Sequence, residues 1–451
     1  MSERQNHQKV IDLASEGFGV IRPANRPAIL VPYTIEEEVV DIEIVRHKRQ
    51  VSYGYATRWH VSSPHRVVPA CEEFGKCGGC QWQMMDYAHQ LHHKRRFVEQ
   101  ALRHIGGMSV SVPPVIPSPN IWHYRNKAEY TFGRDSTGGL CLGFHPRGDF
   151  STALNLKECK IVPPLFEAIR RKVLELAQEK KLSAYDPRTH RGLLRQLLVR
   201  GVDSMAIALI SLAEDRADIA SELLLPLRQA FPALRGVGYF YNPKLNDSLH
   251  DLTPHLIEGE LLLEFSVANR IYFVTPKDFF QVNLAQTENM INWIRERFPT
   301  SVEVLYDLYG GVGLFSIALA DRAKEVVLVE RLAEAVQSAC KNFEANKSSF
   351  PHTRWRVFCG SLEELWSQAI SSQENSIAIV DPSREGLHPT IRKALQKAPF
   401  ASLFYVSCHP ATQARDLQYL KEHYVIEEVQ PFDLFPHTSS IENIVLLKRK
   451  V

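Results

Sequence analysis

The segment from Val302 to Glu330 limits the fold of this chain more than any other part of it. Val302 to Tyr306 has the apolar composition of a buried strand, and a glycine-rich turn, Asp307 to Gly313, leads from it into an apolar helix. A second apolar strand follows and ends in Glu330. A strand, a glycine-rich turn, a helix and a strand ending in an acid about 20 residues later form the nucleotide-binding unit of parallel α/β sheets. Because strands and helices keep alternating beyond it, we predict a doubly wound, Rossmann-like sheet here.

The glycine-rich turn also predicts the kind of ligand. Its glycines follow the pattern G-G-x-G instead of the G-x-G-x-x-G of dinucleotide-binding units, and nothing near it is suited to bind a pyrophosphate. S-adenosylmethionine also needs an acid for its ribose and a close approach of the backbone, but it has no phosphate. We therefore favour a nucleoside ligand of this kind, and the alternative is a tight turn without a ligand.

Candidate catalytic or ligand-binding residues follow other predicted strands. The strand IAIV is followed by Asp381, and the strand LFYV is followed by a polar turn that contains Cys408. In open α/β sheets the carboxyl ends of the strands bind the ligand, so we expect Asp307, Glu330, Asp381 and Cys408 to line one rim. The alternative for Cys408 is a packing role, because free cysteines are among the most buried residues.

Another group of cysteines precedes this region. Four residues are candidates for a shared metal site: Cys71, Cys77, Cys80 and Cys159. Glycines between the first three allow the backbone to wrap closely around a compact group. Four thiolates can hold zinc or an iron–sulfur cluster, and the spacing of the cysteines does not distinguish between the two. The alternative is that these cysteines are unrelated free thiols. Three further cysteines are predicted to be packing residues: Cys141, Cys340 and Cys359.

The chain divides into three predicted units. Residues 1–66 contain short β-rich runs separated by Gly, Pro and Asn, which is typical of a small β-barrel. The basic run from Arg46 to Arg49 and the aromatic residues after it suit single-stranded RNA, although a solvated edge strand is the alternative. Residues 67–275 are predicted to be a mixed α/β unit with helices near 86–105, 164–179 and 215–230. Residues 276–451 contain the doubly wound sheet.

The composition restricts where the protein acts. The 451 residues carry a formal net charge of +2, so an anionic partner must be bound by local basic patches. No apolar run is long enough for a membrane span, and the first residues lack the apolar core of a signal peptide. We expect a cytoplasmic protein whose eight cysteines are not paired in disulfides.

Several motifs together resemble one family, the S-adenosylmethionine-dependent RNA uridine-5-methyltransferases, and in particular the bacterial 23S rRNA type that contains an iron–sulfur cluster. Besides the cysteine segment, the similar motifs are HYRNKAEYTFG (123–133), FFQVN (279–283), DLYGGVG (307–313), DPSREG (381–386), YVSCHPATQARDL (405–417) and FPHTSSIENIVLL (435–447). The chain differs from the family pattern at Ser383, where a second proline is usual, and at His409, where asparagine is usual.

The resemblance implies a role for each motif. It makes the N-terminal unit a TRAM domain, which is an OB-like barrel, and it places a [4Fe–4S] cluster on the four cysteines named above. Cys408 is implied to be the nucleophile that attacks C6 of uracil, and Glu442 the base that removes the C5 proton. The implied cofactor-binding residues are Gln281, Tyr309, Gly311, Gly313, Glu330, Ser361 and Asp381.

The resemblance also implies the partner. The target base must be flipped out or lie in a loop, and basic side chains of the central unit are candidate RNA contacts. These candidates are Arg125, Lys127 and Arg195. We expect a monomer that acts on 23S rRNA. The alternatives are a tRNA uridine-5-methyltransferase and a non-catalytic RNA-binding protein that keeps a methyltransferase shell.

Overall fold

The computed structural model describes residues 3–24, 26–48, 50–135, 137–371 and 375–450, so Arg49 of the basic run lies outside the described residues. The predicted α/β class is confirmed: a six-stranded sheet, a second six-stranded sheet and a seven-stranded sheet follow one another along the chain. The predicted helices in the central part are confirmed too, since helices occur at Tyr87–Gln100, Pro164–Glu179 and Ala217–Ala230. None of the helices among the described residues is both long and apolar enough to cross a bilayer.

The first sheet surrounds a small aliphatic core of its own. Its strands are β1 (Glu3–Lys9), β2 (Asp12–Leu13), β3 (Phe18–Ile21), β4 (Ala28–Pro32), β5 (Val39–His47) and β6 (Val51–Val61). The order is β1-β5-β6-β4-β3-β2, and all pairs are antiparallel except β4 with β6. Alternate side chains of β5, namely Val40, Ile42 and Ile44, point into the core, as the two-residue period of a strand requires.

The second sheet has helices on one side. Its strands are β7 (Lys127–Arg134), β8 (Leu140–Gly143), β9 (Leu194–Val202), β10 (Met205–Leu212), β11 (Leu234–Tyr241) and β12 (Pro254–Gly259), in the order β12-β11-β10-β9-β7-β8. Helix α1 (Tyr87–Gln100), which continues as a π-helical turn at Ala101–Ile105, precedes this sheet in the chain. Helices α2 (Pro164–Glu179) and α3 (Ala217–Ala230) pack their apolar faces on the sheet.

The third sheet has apolar cores on both faces. A hairpin of β13 (Leu263–Val267) and β14 (Arg270–Val274) and helix α4 (Leu284–Arg297) precede it and pack against it. Its strands are β15 (Val302–Leu308), β16 (Ala323–Glu330), β17 (Arg354–Cys359), β18 (Ser376–Val380), β19 (Phe400–Ser407), β20 (Tyr424–Phe432) and β21 (Glu442–Arg449). The helices are α5 (Leu314–Leu319), α6 (Ala333–Asn346), α7 (Leu362–Ala369), α8 (Pro389–Lys397) and α9 (Pro410–Leu420), with 3₁₀ turns at Ala320–Arg322 and Lys347–Ser349.

The order of this sheet, β17-β16-β15-β18-β19-β21-β20, determines where a ligand can bind. The chain runs from β15 outward to β17, returns to β18 on the other side of β15, and continues to β19. The strands from β17 to β19 are parallel, and β21 runs antiparallel to β19. The crevice at the carboxyl ends of β15 and β18, where the order reverses, is the usual ligand position in such sheets.

Candidate active site

The strand ends bring most of the predicted residues of the third sheet to one edge. Leu308 pairs with Val329 of β16 and with Val380 of β18. Tyr309, Glu330 and Asp381 directly follow these three residues, so they lie side by side at the carboxyl edge. All three line a single cavity of about 1630 Å³.

Cys408 and Glu442 are neighbours at the same edge. Ser407 of β19 pairs with Asn443 of β21, and the antiparallel register places the next two residues, Cys408 and Glu442, opposite each other. Cys408 is half-buried, whereas Glu442 is buried with only 2% of its surface exposed. Both line the cavity together with Asp381. The fold therefore brings a thiol and two carboxyl groups together from three different strand ends.

The glycine-rich turn is held in an unusual backbone conformation. Tyr309, Gly311 and Gly313 have φ angles of 70°, 54° and 87°, in the left-handed region that favours glycine. The backbone N–H of Gly311 donates to Glu330 Oε2 at 3.1 Å, and the N–H of Leu332 donates to Oε1 of the same carboxylate at 2.8 Å. Glu330 thus fixes the turn. Gly313 begins α5 and, unlike Tyr309 and Gly311, is not among the residues that line the cavity.

The remaining predicted cofactor residues lie on either side of this turn. Ser361 precedes α7 and lines the cavity close to the end of β17. Gln281 also lines the cavity, and its backbone carbonyl accepts a hydrogen bond from Asn126 Nδ2 at 2.9 Å. Gln281 and Ser361 thus line the same cavity as Glu330 and Asp381.

The prediction that Asp307 lies on the rim is wrong. Strand β15 extends to Leu308, so Asp307 is still inside the strand, and its side chain is buried beneath the glycine-rich turn. Its Oδ2 accepts a hydrogen bond from the backbone N–H of Ser316 at 3.2 Å. Burial raises the pKa of Asp307 to about 6. This carboxyl group supports the site from below and adds negative charge to it.

Burial and neighbouring negative charges raise the pKa of the three ionisable groups at the edge. Burial, and then the charge of Asp307, raise the pKa of Asp381 to about 7. Burial and the charge of Asp381 raise the pKa of Glu442 well above its usual range. Burial, followed by the charges of Glu442 and Asp381, raises the pKa of Cys408 to about 11. At neutral pH the free protein therefore holds Cys408 as a thiol, whereas the chemistry expected of it requires a thiolate.

Arg384 is a site residue that the sequence analysis did not single out. Its side chain lies close to Cys408, and its positive charge lowers the pKa of both Cys408 and Glu442 against the effect of burial. It also lines the cavity. The signal that could have identified it is its position three residues after Asp381 in DPSREG, since a cation beside strand-end acids faces the same crevice.

Helix α9 holds the loop that carries Arg384. Thr412 Oγ1 donates to the carbonyl oxygen of Arg384 at 3.1 Å, and Arg415 Nη2 donates to that of Glu385 at 2.7 Å. His409 caps the helix, because its Nδ1 accepts from the backbone N–H of Thr412 at 3.3 Å. Asparagine, which is usual in the family at this position, is a favourable helix N-cap residue, and His409 caps the helix in its place.

The four candidate metal-binding cysteines line the same cavity as Cys408. Burial, followed by the charges of Cys77 and Cys71, raises the pKa of Cys80 to about 12. Burial and the charge of Cys80 also raise the pKa of Cys159. The four thiols are therefore close enough to interact electrostatically, and four soft sulfur donors suit an iron–sulfur cluster or zinc.

The three other cysteines do not share one environment. Cys141 is buried, as predicted, but Cys340 and Cys359 are exposed, so their predicted packing role is wrong. Cys359 ends β17, which is the edge strand of its sheet. Cys340 is an exposed residue of α6 that lies outside the buried stripe containing Ala339 and Phe343.

The basic candidates for RNA contacts are in different environments. Arg125 lines the cavity, and Lys127 forms an ion pair with Glu129 at 2.9 Å. Arg195 is buried, and its guanidinium donates to Asp247 and to the carbonyl oxygens of a neighbouring loop. We correct the prediction for Arg195, because a buried guanidinium with these partners is not free to bind a phosphate.

Two exposed aromatic side chains complete the cavity. Phe150 and Phe279 are 77% and 69% exposed, and both line it. Phe279 lies two residues before Gln281 in the FFQVN motif, whereas no sequence signal marked Phe150. Exposed rings at the wall of a cavity are surfaces on which bases can stack.

Known proteins share this architecture. The family model described as tRNA (uracil-5-)-methyltransferase matches residues 259–450. An uncharacterized RNA methyltransferase of Bacteroides thetaiotaomicron is 33% identical over 97% of this chain and 100% of that protein. One of Halalkalibacterium halodurans is 31% identical over 97% of this chain and 96% of that protein. The crystal structure of Pyrococcus abyssi tRNA (uracil-54, C5)-methyltransferase in complex with S-adenosyl-L-homocysteine has a TM-score of 0.78 and 26% identity, covering 98% of this chain and 99% of that chain. The chain belongs to the S-adenosylmethionine-dependent RNA uracil-5-methyltransferase family.

Proposed function

We propose that this protein methylates C5 of a uridine in 23S rRNA through a covalent bond between Cys408 and C6 of the base. The observation that carries the proposal is the β19–β21 register, which places Cys408 directly beside Glu442 in the cavity that also contains the glycine-rich turn. A nucleophile and a base at adjacent positions are what a covalent mechanism at this ring requires.

The proposed steps use the side chains at this edge. The Cys408 thiolate attacks C6, and the C5–C6 π electrons move onto C5 and the O4 carbonyl, which makes C5 nucleophilic. S-adenosylmethionine supplies an electrophilic methyl group on its sulfonium. After C5 has gained the methyl group, the Glu442 carboxylate removes the C5 proton. The C5–C6 double bond then re-forms, and the S–C6 bond breaks to release Cys408 as a thiolate.

Deprotonation of Cys408 is the step that the free protein resists. We propose that Asp381 accepts this proton, because a pKa of about 7 leaves the carboxyl group about half ionised at neutral pH. Arg384 stabilises the resulting thiolate through its positive charge. The raised pKa of Glu442 makes its ionised form a stronger base for the C5 proton.

The walls of the cavity fit a flipped-out base and the RNA around it. A base inside a stack cannot reach Cys408, so the target nucleotide must leave its stack. Phe279 and Phe150 offer exposed rings for the displaced or neighbouring bases, and Arg125 offers a cation to the backbone. We propose that the N-terminal sheet, as a TRAM-like domain, holds flanking RNA, and that the protein acts as a monomer in the cytoplasm.

We further propose a [4Fe–4S] cluster on Cys71, Cys77, Cys80 and Cys159. The four cysteines line the same cavity and influence one another's pKa. Four thiolates can hold zinc as well as a cluster, and the resemblance to the iron–sulfur-containing type favours the cluster. A brown protein that contains iron and inorganic sulfide is expected, whereas a colourless protein that contains zinc would contradict this part of the proposal.

The second candidate target is tRNA. The solved structure with a TM-score of 0.78 is named as a tRNA (uracil-54, C5)-methyltransferase, and the matching family model carries a tRNA name as well. The four-cysteine segment and its resemblance to the 23S rRNA type favour rRNA.

The test of the target is transfer of labelled methyl from S-adenosylmethionine to unmodified transcripts of 23S rRNA and tRNA, with identification of the labelled nucleoside. We expect 5-methyluridine in the rRNA. The same nucleoside in tRNA alone would replace the proposed target. A methylated base other than uracil would refute the reaction.

A further inference from the structure

A cluster of side chains away from the cavity brings three metal-ligating groups together. Helix α1 presents His89 and His93 one turn apart, so both rings lie on the same face of the helix. Glu36, from the connection between β4 and β5 in the first sheet, faces them. None of these residues lines the cavity that contains Cys408.

The donor atoms of the cluster converge on one point. Glu36 Oε1 lies 2.7 Å from His89 Nε2 and 2.6 Å from His93 Nε2, and the two nitrogens are 3.2 Å apart. Tetrahedral zinc with Zn–N bonds of about 2.05 Å holds its donors about 3.3 Å apart. The two nitrogens already have this separation, and Glu36 needs to move by less than about 1 Å to match it.

The side chains of the cluster are largely buried, and some of their polar atoms lack a hydrogen-bond partner among the described residues. The side chain of His93 is completely buried, and those of His89 and Glu36 are 13% and 18% exposed. Glu36 Oε2 and His93 Nδ1 are buried without a hydrogen-bond partner among the described residues. A buried polar atom without a partner is costly, and an ion or water that satisfies it is a common explanation. Oε2 is free to act as the second oxygen of a chelating carboxylate.

We propose that Glu36, His89 and His93 form a binding site for a divalent transition-metal ion, with zinc as the best fit. Two imidazole nitrogens and a carboxylate oxygen are ligands that zinc prefers, and two histidines four residues apart on a helix are a frequent way to present them. Soft thiolates, by contrast, make up the four-cysteine site in the cavity. The two sites are therefore distinguished by their ligand chemistry.

Such a site would connect two parts of the molecule. Glu36 lies in the connection between two strands of the first sheet. Helix α1, in contrast, packs against α9 of the third sheet and is anchored by a buried ion pair between Lys94 and Asp433 at 2.5 Å. A metal ion that binds the folded state stabilises it by mass action. At a free Zn²⁺ concentration of 100 times its Kd, the ratio of folded to unfolded protein is expected to rise about 100-fold.

The test is a titration of the full-length protein, with its four-cysteine site occupied, with Co²⁺. We expect one equivalent of bound Co²⁺ whose absorption spectrum shows d–d bands without a thiolate charge-transfer band. The double variant His89→Gln/His93→Gln is expected to lose this equivalent, and Glu36→Gln to bind Co²⁺ at least tenfold more weakly. His92→Gln is the matched control, because His92 is an exposed residue of the same helix and is expected to bind as the wild type does.

Two results would overturn the site. One is that the wild-type protein binds no Co²⁺, or binds Co²⁺ only with a thiolate charge-transfer band. The other is that the double variant, with an unchanged circular dichroism spectrum, still binds its equivalent. If the double variant does not fold, Glu36→Gln decides the question, because it changes one oxygen to an NH₂ group and keeps the shape. Methyl transfer is measured separately, so failure of this site leaves the proposed function standing.

Discussion

Replacing Glu442 by glutamine separates the two halves of the proposed reaction. The amide has the shape of the carboxyl group but cannot accept the C5 proton. It also removes a negative neighbour that raises the pKa of Cys408, so attack on C6 is not slowed. We therefore expect Glu442→Gln to form the covalent adduct with RNA and to fail at its resolution.

The magnitude follows from the burial of Glu442. General base catalysis contributes about 10²–10⁴-fold, and a base that water cannot replace lies at the upper end of that range. Glu442 is 2% exposed, and its Oε1 has no hydrogen-bond partner among the described residues, so water has little access to the C5 proton. Turnover is expected to fall by about 10³-fold or more, and the lifetime of the adduct to rise in the same proportion.

The assay is a denaturing gel of labelled RNA incubated with protein and S-adenosylmethionine. A slowly migrating band is expected with Glu442→Gln, and it should vanish in the double variant Cys408→Ala/Glu442→Gln, which serves as the control. Turnover within tenfold of the wild type, without a retained band, would refute the assignment of Glu442 as the base.

Three further predictions test the surroundings of the site. In Gly310→Ala the new Cβ would lie 2.5 Å from Leu328 Cγ, so urea unfolding should show a loss of about 1–3 kcal/mol, and unchanged stability would contradict this packing. Lys94→Met leaves Asp433 buried without its cation and should cost about 3–5 kcal/mol, and a smaller loss in Lys94→Met/Asp433→Leu would confirm the coupling. Because the pKa of Cys408 is about 11, its alkylation by iodoacetamide in the free protein should accelerate about tenfold per pH unit from about pH 7 to pH 10. A rate that is already constant near neutral pH would contradict the raised pKa.

The rim of the site was predictable wherever a strand end determines the position of a side chain. Parallel strands bring their carboxyl ends to one edge, so the sequence alone brought Glu330, Asp381 and Cys408 together. The same reasoning failed for Asp307, because β15 continues for two residues beyond the predicted end at Tyr306. An error of that size moves a side chain from the ligand crevice into the core.

Local sequence patterns could not predict the environment of a residue when it depends on the pairing of distant strands. They also could not predict whether another layer of the protein covers a sheet face. Glu442 begins an antiparallel strand, and only its pairing with β19 places it beside Cys408; the sequence suggested it through the family resemblance alone. Arg195 was expected on a basic surface, but β9 lies inside its sheet and almost all of its residues are buried. A periodic pattern shows which side chains share a face, and it does not show whether another layer covers that face.

The electrostatics of the nucleophile also required the structure. The chemistry expected of Cys408 requires a thiolate near neutral pH, which either a lowered pKa or a nearby base could provide. In the structure, burial, followed by the charges of Glu442 and Asp381 from separate strands, raises the pKa of Cys408, and Arg384 is the opposing charge. The free protein therefore holds Cys408 as a protonated thiol, which slows its alkylation and oxidation. In the proposed mechanism, proton transfer to Asp381 activates it.

The central claim is that Cys408 becomes bonded to C6 of the target uridine. It is tested most directly with an RNA transcript that contains 5-fluorouridine, because fluorine at C5 cannot be removed as a proton and the methylated adduct is trapped. Digestion and mass spectrometry should find the nucleotide attached to the peptide that contains Cys408. A nucleotide on any other residue, or no adduct from a protein that still methylates ordinary RNA, would contradict the account.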